Sequence, residues 1–467
     1  MNKGCLIFMP GVNSITHKER FTEPYDFPRG GLSLASFLSS RGKRVSIIPL
    51  DYYIPPSQNP AEISSRLRYV VQFTVREFDP ALVGISAPYT MLYPTALRIA
   101  SFCKEVSESV VCLGGPHVSY MDWQTFIDSK DVDVVVRGEG EWTLLELLEK
   151  VEREEDFSDV AGTTVRNAES GVRNTELAKV NPPRPLGNMN ELPQLNYGLL
   201  PEEFVRKMAV TLVASRGCAY RCTYCLESEF WGHKVRVTSI DRVVEEVKIL
   251  SEKYNNPPLA FEDSMFNMRS ARFFELCAGL KGIRLRPEFY ILSRVDSVTD
   301  EGFRAMKDAG INKILLGIES ASPKVLAAMN KRITYEQAED TCRRLTNAGL
   351  QVGTFWIIGH PGDSIKEARI TLDAIKRLYS LGYMGASEIA IFIPYPGTII
   401  FQNPEAYGID ILNYDWERWG RFNTEPVCQL KDFRKEDILR CWVKAQRIAE
   451  YWMSKRMYNN FINSATS

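Results

Sequence analysis

This 467-residue chain has no long apolar run. None approaches the roughly 18–20 residues that cross a bilayer, so no membrane span is expected. It has no charge excess of either sign: the formal net charge is −1, which leaves no electrostatic footprint for a nucleic acid. The opening Met-Asn-Lys-Gly-Cys-Leu-Ile-Phe-Met-Pro has too short an apolar part for a signal peptide and no small-residue cleavage site, and reads instead as a buried strand. A cytoplasmic protein is expected, where thiols stay reduced. The hydrophobic fraction of 45% and charged fraction of 25% are those of a globular protein, and the length favours two or three domains.

Cysteine is sparse but unevenly spread. Cys5, Cys103, Cys112, Cys277, Cys342, Cys428 and Cys441 stand singly and read as small buried apolar residues. Cys428, in an expected loop, is the one candidate for an auxiliary thiol. The other three fall in Arg-Gly-Cys218-Ala-Tyr-Arg-Cys222-Thr-Tyr-Cys225. Three thiolates in one short loop can hold three irons of a cubic iron–sulfur cluster. A fourth cysteine at matching spacing is missing, which would leave one iron open to a substrate or cofactor. Zinc is the rival, but structural zinc wants four closed ligands, and His233 is the only histidine nearby.

The Cys-x3-Cys-x2-Cys spacing, with Tyr224 before the third cysteine and the strand-like Ala209–Ser215 leading into the loop, resembles the radical SAM superfamily. The resemblance implies a [4Fe-4S] cluster on Cys218, Cys222 and Cys225. It further implies S-adenosylmethionine (SAM) chelated to the open iron and cleaved reductively to a 5′-deoxyadenosyl radical. A flavodoxin- or ferredoxin-like protein would supply the electron.

Residues 1–151 alternate strand and helix. Apolar runs at Cys5–Met9, Val45–Leu50, Ala81–Ser86, Val110–Leu113 and Val132–Val136 are separated by helix-like stretches at Leu32–Ser40, Ala61–Val75, Tyr93–Val106 and Glu141–Val151. This pattern predicts a doubly wound, Rossmann-like parallel sheet covered on both faces, with ligands at the carboxyl ends of its strands. Small residues collect at those ends: Ser86 with Thr90, Leu113-Gly-Gly-Pro-His117, and Arg137-Gly-Glu-Gly-Glu141. Glycine there serves tight turns or the close approach of a bulky ligand. Together the motifs resemble the cobalamin-binding domain that precedes many radical SAM domains. The resemblance implies contacts to cobalamin from Ser86, Thr90, Gly114, Gly115, Pro116, Gly138 and Glu139. The Asp-x-His-x-x-Gly motif that places a histidine under cobalt is missing, and His17 has neither partner. His117 is expected in a loop near the nucleotide tail.

Residues 152–208 read as a hairpin (Val160–Val165 with Gly171–Asn174) and a proline-rich linker. From 209 to 400 strand-like runs recur at Val210–Ala214, Leu259–Phe261, Glu288–Leu292, Lys313–Gly317, Val352–Ile358 and Ile389–Ile393. The helices between them begin at Ser239, Ser322-Pro323, Thr334 with Gln337, and Ser364 with Glu367. Six such units suit the partial (β/α)6 barrel of radical SAM enzymes, with the site at the carboxyl ends of the strands. Polar residues stand there: Glu262-Asp263, Ser293-Arg294 and Gly317-Ile-Glu319. By the resemblance, Tyr224, Glu262, Asp263, Ser293, Arg294 and Glu319 contact SAM, with Arg294 offering a bidentate fork to its carboxylate. Arg236 is a further candidate contact, Asn330-Lys331 reads as helix-end chemistry, and His360 as a turn residue or proton carrier. Pro394–Thr398 is expected on the substrate side. Residues 401–467 form a helical segment closing the barrel, with Trp416, Trp419, Trp442, Trp452 and Tyr451 in its core.

The expected activity is transfer of a methyl group from methylcobalamin to an unactivated carbon of a small molecule. The alternatives are a cobalamin-binding radical SAM enzyme that performs a cyclisation, ring contraction or oxidation, and an iron–sulfur electron-transfer or binding protein. A tRNA methylthiotransferase is weakened by the lack of a second cysteine triplet.

Overall fold

A computed structural model describes residues 3–11, 27–167, 177–283, 289–421 and 423–466, with side chains in the last helix described to 455. His17, Gly171–Asn174 and Glu288 lie outside the described residues. The chain divides into two compact units: Met1–Ala209 with Asp415–Gly420, and Val210–Tyr414 with Arg421–Ser467.

The first unit is built on β1 (Cys5–Met9), β2 (Val45–Pro49), β3 (Leu82–Ser86), β4 (Val110–Gly114), β5 (Val134–Val136), β6 (Thr163–Arg166) and β7 (Ala178–Val180). They form one sheet in the order β2-β1-β3-β4-β5-β6-β7. The first five are parallel, and β6 and β7 join antiparallel. Every residue of β1 is buried, as a strand covered on both faces requires. Strand order reverses between β1 and β3, the switch point where open α/β sheets leave a crevice at their carboxyl ends. The helix Pro60–Phe78 shows how sequence sets an element. The Asn59 side chain caps the amides of Ala61 and Glu62, proline starts the first turn, and Asp79 ends the helix in a left-handed conformation. Its inward stripe, Ile63, Leu67, Val71 and Val75, is fully buried.

The expected hairpin arm Val160–Val165 overlaps β6, which extends this sheet, a pairing its polar threonines obscure in the sequence. Thr163 donates to the Val160 carbonyl at 2.7 Å and Thr164 to Asp122 at 2.6 Å, so their hydroxyls are satisfied on burial. The proline-rich stretch also stays with the first unit, where Asn181 bonds Ser158 and Thr163 and the Asn196 amide bonds Ser36. So does Asp415–Gly420: Glu417 pairs Arg98 at 3.3 Å and Trp416 lies edge-on to His117 at 5.0 Å.

The second unit carries β8 (Val210–Leu212), β9 (Ser215–Arg216), β10 (Arg236–Val237), β11 (Leu259–Phe261), β12 (Tyr290–Arg294), β13 (Lys313–Glu319), β14 (Gln351–Ile358) and β15 (Ala386–Ile391), then the small pair β16 (Ile409–Ile411) and β17 (Cys428–Leu430). Six strands form one parallel, curled sheet in the order β15-β14-β13-β12-β11-β8. Space follows chain order, as in a partial barrel wound one way round. The helix starts are those the sequence indicates. Thr334 and Gln337 form a reciprocal capping box, Ser322 caps Val325 with Pro323 behind it, and Ser364 caps Glu367. Ser239 occupies the cap position of its helix without a side-chain capping bond to the first turn. The long helix Lys435–Thr466 packs on the sheet, and Trp442 donates to the Ile389 carbonyl at 2.8 Å. Cys428 corrects the loop expectation. It lies buried in β17, and burial pushes its thiol up to about 12, so it is a packing residue rather than an auxiliary ligand.

Gly115 follows β4 with φ +121°, and a Cβ there would stand 2.4 Å from the Ala87 carbonyl oxygen. Gly115→Ala is therefore expected to cost on the order of 3 kcal/mol from backbone strain and overpacking together, read by chemical denaturation of the full chain.

Candidate active site

In the second unit the cysteine loop leaves β8 and is fixed before it begins. Asp263 accepts from the Ala214 amide at 2.9 Å and from the Ser215 hydroxyl at 2.5 Å. Arg272 donates to the Ala214 and Thr238 carbonyls. β9 and β10 bracket the loop as an antiparallel pair, Arg236 opposite Arg216. Gly217, at φ +99°, brings the backbone so close to Lys234 that a Cβ would lie 2.0 Å from its carbonyl oxygen, so only glycine turns the chain here.

Inside the loop, the Cys225 amide bonds the Cys222 carbonyl at 3.1 Å. Thr223 is held on both sides of its backbone: its amide donates to Met329 and its hydroxyl lies 3.0 Å from the Ala328 carbonyl. Asn330 donates to the Arg221 carbonyl at 2.8 Å. The end of the helix Pro323–Ala328 thus pins the loop. His360, fully buried, completes the clamp. Its Nδ1 donates to the Pro361 carbonyl at 2.8 Å, so Nε2 faces the Thr223 hydroxyl at 3.2 Å. Burial lowers His360 to about 4 and keeps it neutral. It is a prop for the loop.

The three thiols are half-buried. Burial raises Cys225 to about 12 and also raises Cys218, and repulsion from the other cysteines of the loop adds to both. Two buried thiols that resist losing their protons need a cationic group in their place. Among the described residues no three His, Cys, Asp or Glu converge closely enough for one metal ion. Three thiols on one loop are the donor set for separate iron vertices of a cluster. His233 pairs with Glu229 at 3.2 Å.

Around the loop stands a buried polar group. Glu319 and Lys331, 7% and 3% exposed, pair at 2.9 Å, and Tyr224 donates to the same Glu319 Oε1 at 3.0 Å. Lys331 Nζ also reaches the Tyr224 hydroxyl at 3.1 Å. Glu319 sits at a break in the β13 register with φ +70°, a bulge that re-aims its side chain. Gly317 makes room: a Cβ there would lie 2.6 Å from Glu319 and 2.9 Å from Lys331.

The expected SAM contacts thus divide. Tyr224, Glu319 and Arg294 gather about the cysteine loop. Asp263 accepts one chain hydrogen bond on each oxygen, and Ser293 donates to the Phe266 carbonyl at 2.7 Å, so both brace the chain at their strand ends. Glu262 is exposed at the end of β11. Arg294 differs from expectation, because its fork is taken by Asp296 at 2.9 and 3.1 Å. Arg236 lies beside the Trp231 ring, and Thr398 of Pro394–Thr398 caps a short helix through the Phe401 amide. Asp296 and Thr223 are the residues sequence reasoning missed, and Lys331, read as helix-end chemistry, is instead buried on Glu319. Lys331 follows Asn330 at a helix end, where a charged residue reads as solvated, and nothing local signals that a bulge buries it.

In the first unit Ser86 ends β3 opposite Gly114, which in turn lies opposite Val136. Gly115 turns into the short helix Pro116–Tyr120. Ser119 donates to the Gly115 carbonyl at 2.8 Å and accepts from the Gly138 amide at 3.0 Å, tying the two glycine turns together. Glu139 accepts from the Gly187 amide at 3.2 Å. A Cβ at Gly138 would meet nothing within 4 Å. His117 lies in that short helix rather than in a loop, fully enclosed, with Nδ1 3.3 Å from Thr90 and the ring 4.3 Å from Tyr93. Its Nε2 is buried with no hydrogen-bond partner among the described residues. Burial holds it neutral, at about 3. Open backbone at Gly138 and the orphaned Nε2 of His117 fit a polar ligand held at the strand ends.

Two outcomes test this geometry. Lys331→Met strands a buried carboxylate and is expected to cost about 3–5 kcal/mol, partly recovered in the double variant with Glu319→Gln, read by urea unfolding. His360 has the second signature. Its folded value near 4 lies below the unfolded 6.5. Its contribution is therefore complete above pH 6.5 and is lost as pH falls toward 4. Asp363, raised to about 6 by burial, works in the opposite sense over an overlapping range. In unfolding titrations His360→Gln should show a shallower acid loss than the parent, the difference accumulating between pH 6.5 and 4.

The B12 binding domain family matches residues 25–148, and the Radical SAM superfamily matches residues 212–375. The chain is 32% identical over 377 residues to an uncharacterized methyltransferase, PH0819, of Pyrococcus horikoshii, covering 79% of each chain. It is 26% identical over 355 residues to the cytidylyl-2-hydroxyethylphosphonate methyltransferase of Streptomyces wedmorensis, covering 68% of this chain and 65% of that one. Its fold is similar to that of the radical SAM methyltransferase TsrM from Kitasatospora setae, solved with cobalamin and a [4Fe-4S] cluster. The TM-score is 0.70 at 16% identity, with 97% of this chain and 89% of that one covered. The chain belongs to the radical SAM superfamily, within the cobalamin-dependent enzymes that carry a B12 binding domain ahead of the radical SAM domain.

Proposed function

We propose that this protein is a cobalamin-dependent radical SAM methyltransferase that places a methyl group on an unactivated carbon of a small molecule. The observation that carries the reading is the pairing, in one chain, of a three-cysteine loop with no fourth thiol and a glycine-lined cradle at the switch point of a separate sheet. When bound, the cluster with SAM supplies a 5′-deoxyadenosyl radical for hydrogen abstraction, and cobalamin supplies the methyl group.

The side chains hold and shield. Cys218, Cys222 and Cys225 take three irons. Glu319 Oε1 receives both Tyr224 and Lys331, which leaves Oε2 to accept from a donor group of SAM. Lys331, itself buried, pairs Glu319 at 2.9 Å and offsets its charge where the site is enclosed. Glu262, at an exposed strand end, is a second acceptor. In the first unit Ser86, Thr90, Gly114, Gly115, Pro116, Gly138 and Glu139 line the cobalamin cradle, with polar side chains beside turns whose glycines admit close backbone approach. The electron donor is a flavodoxin- or ferredoxin-like protein.

Anaerobic protein reconstituted with iron, sulfide and cobalamin tests the reading. Incubation with methyl-deuterated SAM and a strong reductant should yield both 5′-deoxyadenosine and S-adenosylhomocysteine, with label entering a small molecule of a cell extract. Cys222→Ala should abolish 5′-deoxyadenosine. Formation of 5′-deoxyadenosine without S-adenosylhomocysteine would sink methyl transfer in favour of a non-methylating radical reaction.

A further inference from the structure

Arg294 ends β12 and is 6% exposed. Its guanidinium carbon lies 3.7 Å from the centroid of the Tyr220 ring, inside the cysteine loop. Nη1 points to Cys222 Sγ at 3.7 Å. Nε and Nη2 hold the two oxygens of Asp296, and Nη2 also donates to the Lys331 carbonyl at 2.8 Å. All three guanidinium nitrogens are engaged, and the forked edge that would grip a ligand carboxylate faces Asp296. What remains is a fixed positive charge with an N–H on one ligating sulfur.

We propose that Arg294 is a positioning residue that tunes the ease of reducing the iron–sulfur cluster, through its hydrogen bond to Cys222 and its charge, instead of binding the carboxylate of SAM. This rests on the reading that the three thiols hold such a cluster. In the step concerned, a one-electron donor of the flavodoxin or ferredoxin class loses one electron and the cluster gains one. No bond breaks and no proton moves, so the site becomes more negative by one unit charge. Cluster potentials follow net charge, hydrogen bonds to sulfur and exposure, and a nearby buried cation favours the more negative state. Asp296 works against it: the carboxylate holds the guanidinium in place and cancels part of its field. The loop therefore senses a balanced pair, which substitutions can tilt either way.

An EPR-monitored redox titration of the reconstituted protein, with iron and sulfide content and SAM affinity measured alongside, tests the assignment. Arg294→Gln should bind iron and SAM as the parent does, with its midpoint moved negative. The ratio of reduced to oxidised cluster at a fixed potential should fall about tenfold, the size expected for losing one charge-assisted hydrogen bond. Asp296→Asn, which keeps the arginine and removes its counter-charge, should move the midpoint positive. If Arg294→Gln fails to load iron, the sign of the Asp296→Asn shift decides alone. Midpoints unmoved in the loaded variants, a negative shift in Asp296→Asn, or an unmoved midpoint with SAM affinity lost in Arg294→Gln would overturn the proposal. A parent protein that assembles no EPR-active cluster would overturn the functional reading itself.

Discussion

Negative charge gathered at the ends of buried parallel strands is the constraint on which this site depends. Three thiols and the Glu319 carboxylate stand within one polar shell, and burial makes each anion costly. The chain answers with two cations that are themselves almost fully enclosed: Lys331 on Glu319, and Arg294 beside Cys222. Neither is free to turn outward, since Lys331 is tied to Tyr224 and Arg294 to Asp296. Rigid counter-charges of this kind are what let a low-dielectric site stay ionised and dry.

Both units reach this polar end by the same backbone logic. A parallel strand hands its side chains to apolar layers on both faces, and only its carboxyl end opens to polar residues and turns. In the first unit the ends are Ser86, Gly114 and Val136, followed by glycine turns tied by Ser119. In the second the ends are Glu262-Asp263, Ser293-Arg294 and Glu319. The glycines that matter are those where geometry leaves no choice: Gly115 against Ala87, Gly217 against Lys234, and Gly317 against Glu319 and Lys331.

This logic explains what could be read in the sequence. Strands such as Cys5–Met9 and Leu259–Phe261 were legible because continuous apolar runs signal two-sided burial, and the caps at Thr334 and Ser364 because short-range chemistry is complete within four residues. The cysteine loop was legible for the same local reason. Residues whose setting is made by distant segments were not. Thr163 and Thr164 look like polar hairpin positions until Val160 and Asp122 satisfy their buried hydroxyls. Lys331 looks solvated until a bulge twelve residues earlier turns Glu319 onto it. Cys428 looks like loop until β16 pairs with it.

At the strand ends, bonding to the chain differs from one polar residue to the next. An ionised carboxylate has about four lone-pair sites on its two oxygens, so each bond to the chain leaves fewer for a ligand. Asp263 has one oxygen on Ala214 and the other on Ser215, so its task is to set the entry of the cysteine loop. Ser293 spends its hydroxyl on Phe266, and His360 spends one nitrogen on Pro361 while the other faces Thr223. Glu319 loads both of its bonds onto a single oxygen. The difference lies in backbone geometry: Asp263 meets the Ala214 amide and the Ser215 hydroxyl where the chain leaves β8, whereas the left-handed turn at Glu319 lifts its carboxylate off the ladder toward Tyr224 and Lys331. Position after a strand marks both residues alike; the bulge gives one of them a different set of partners.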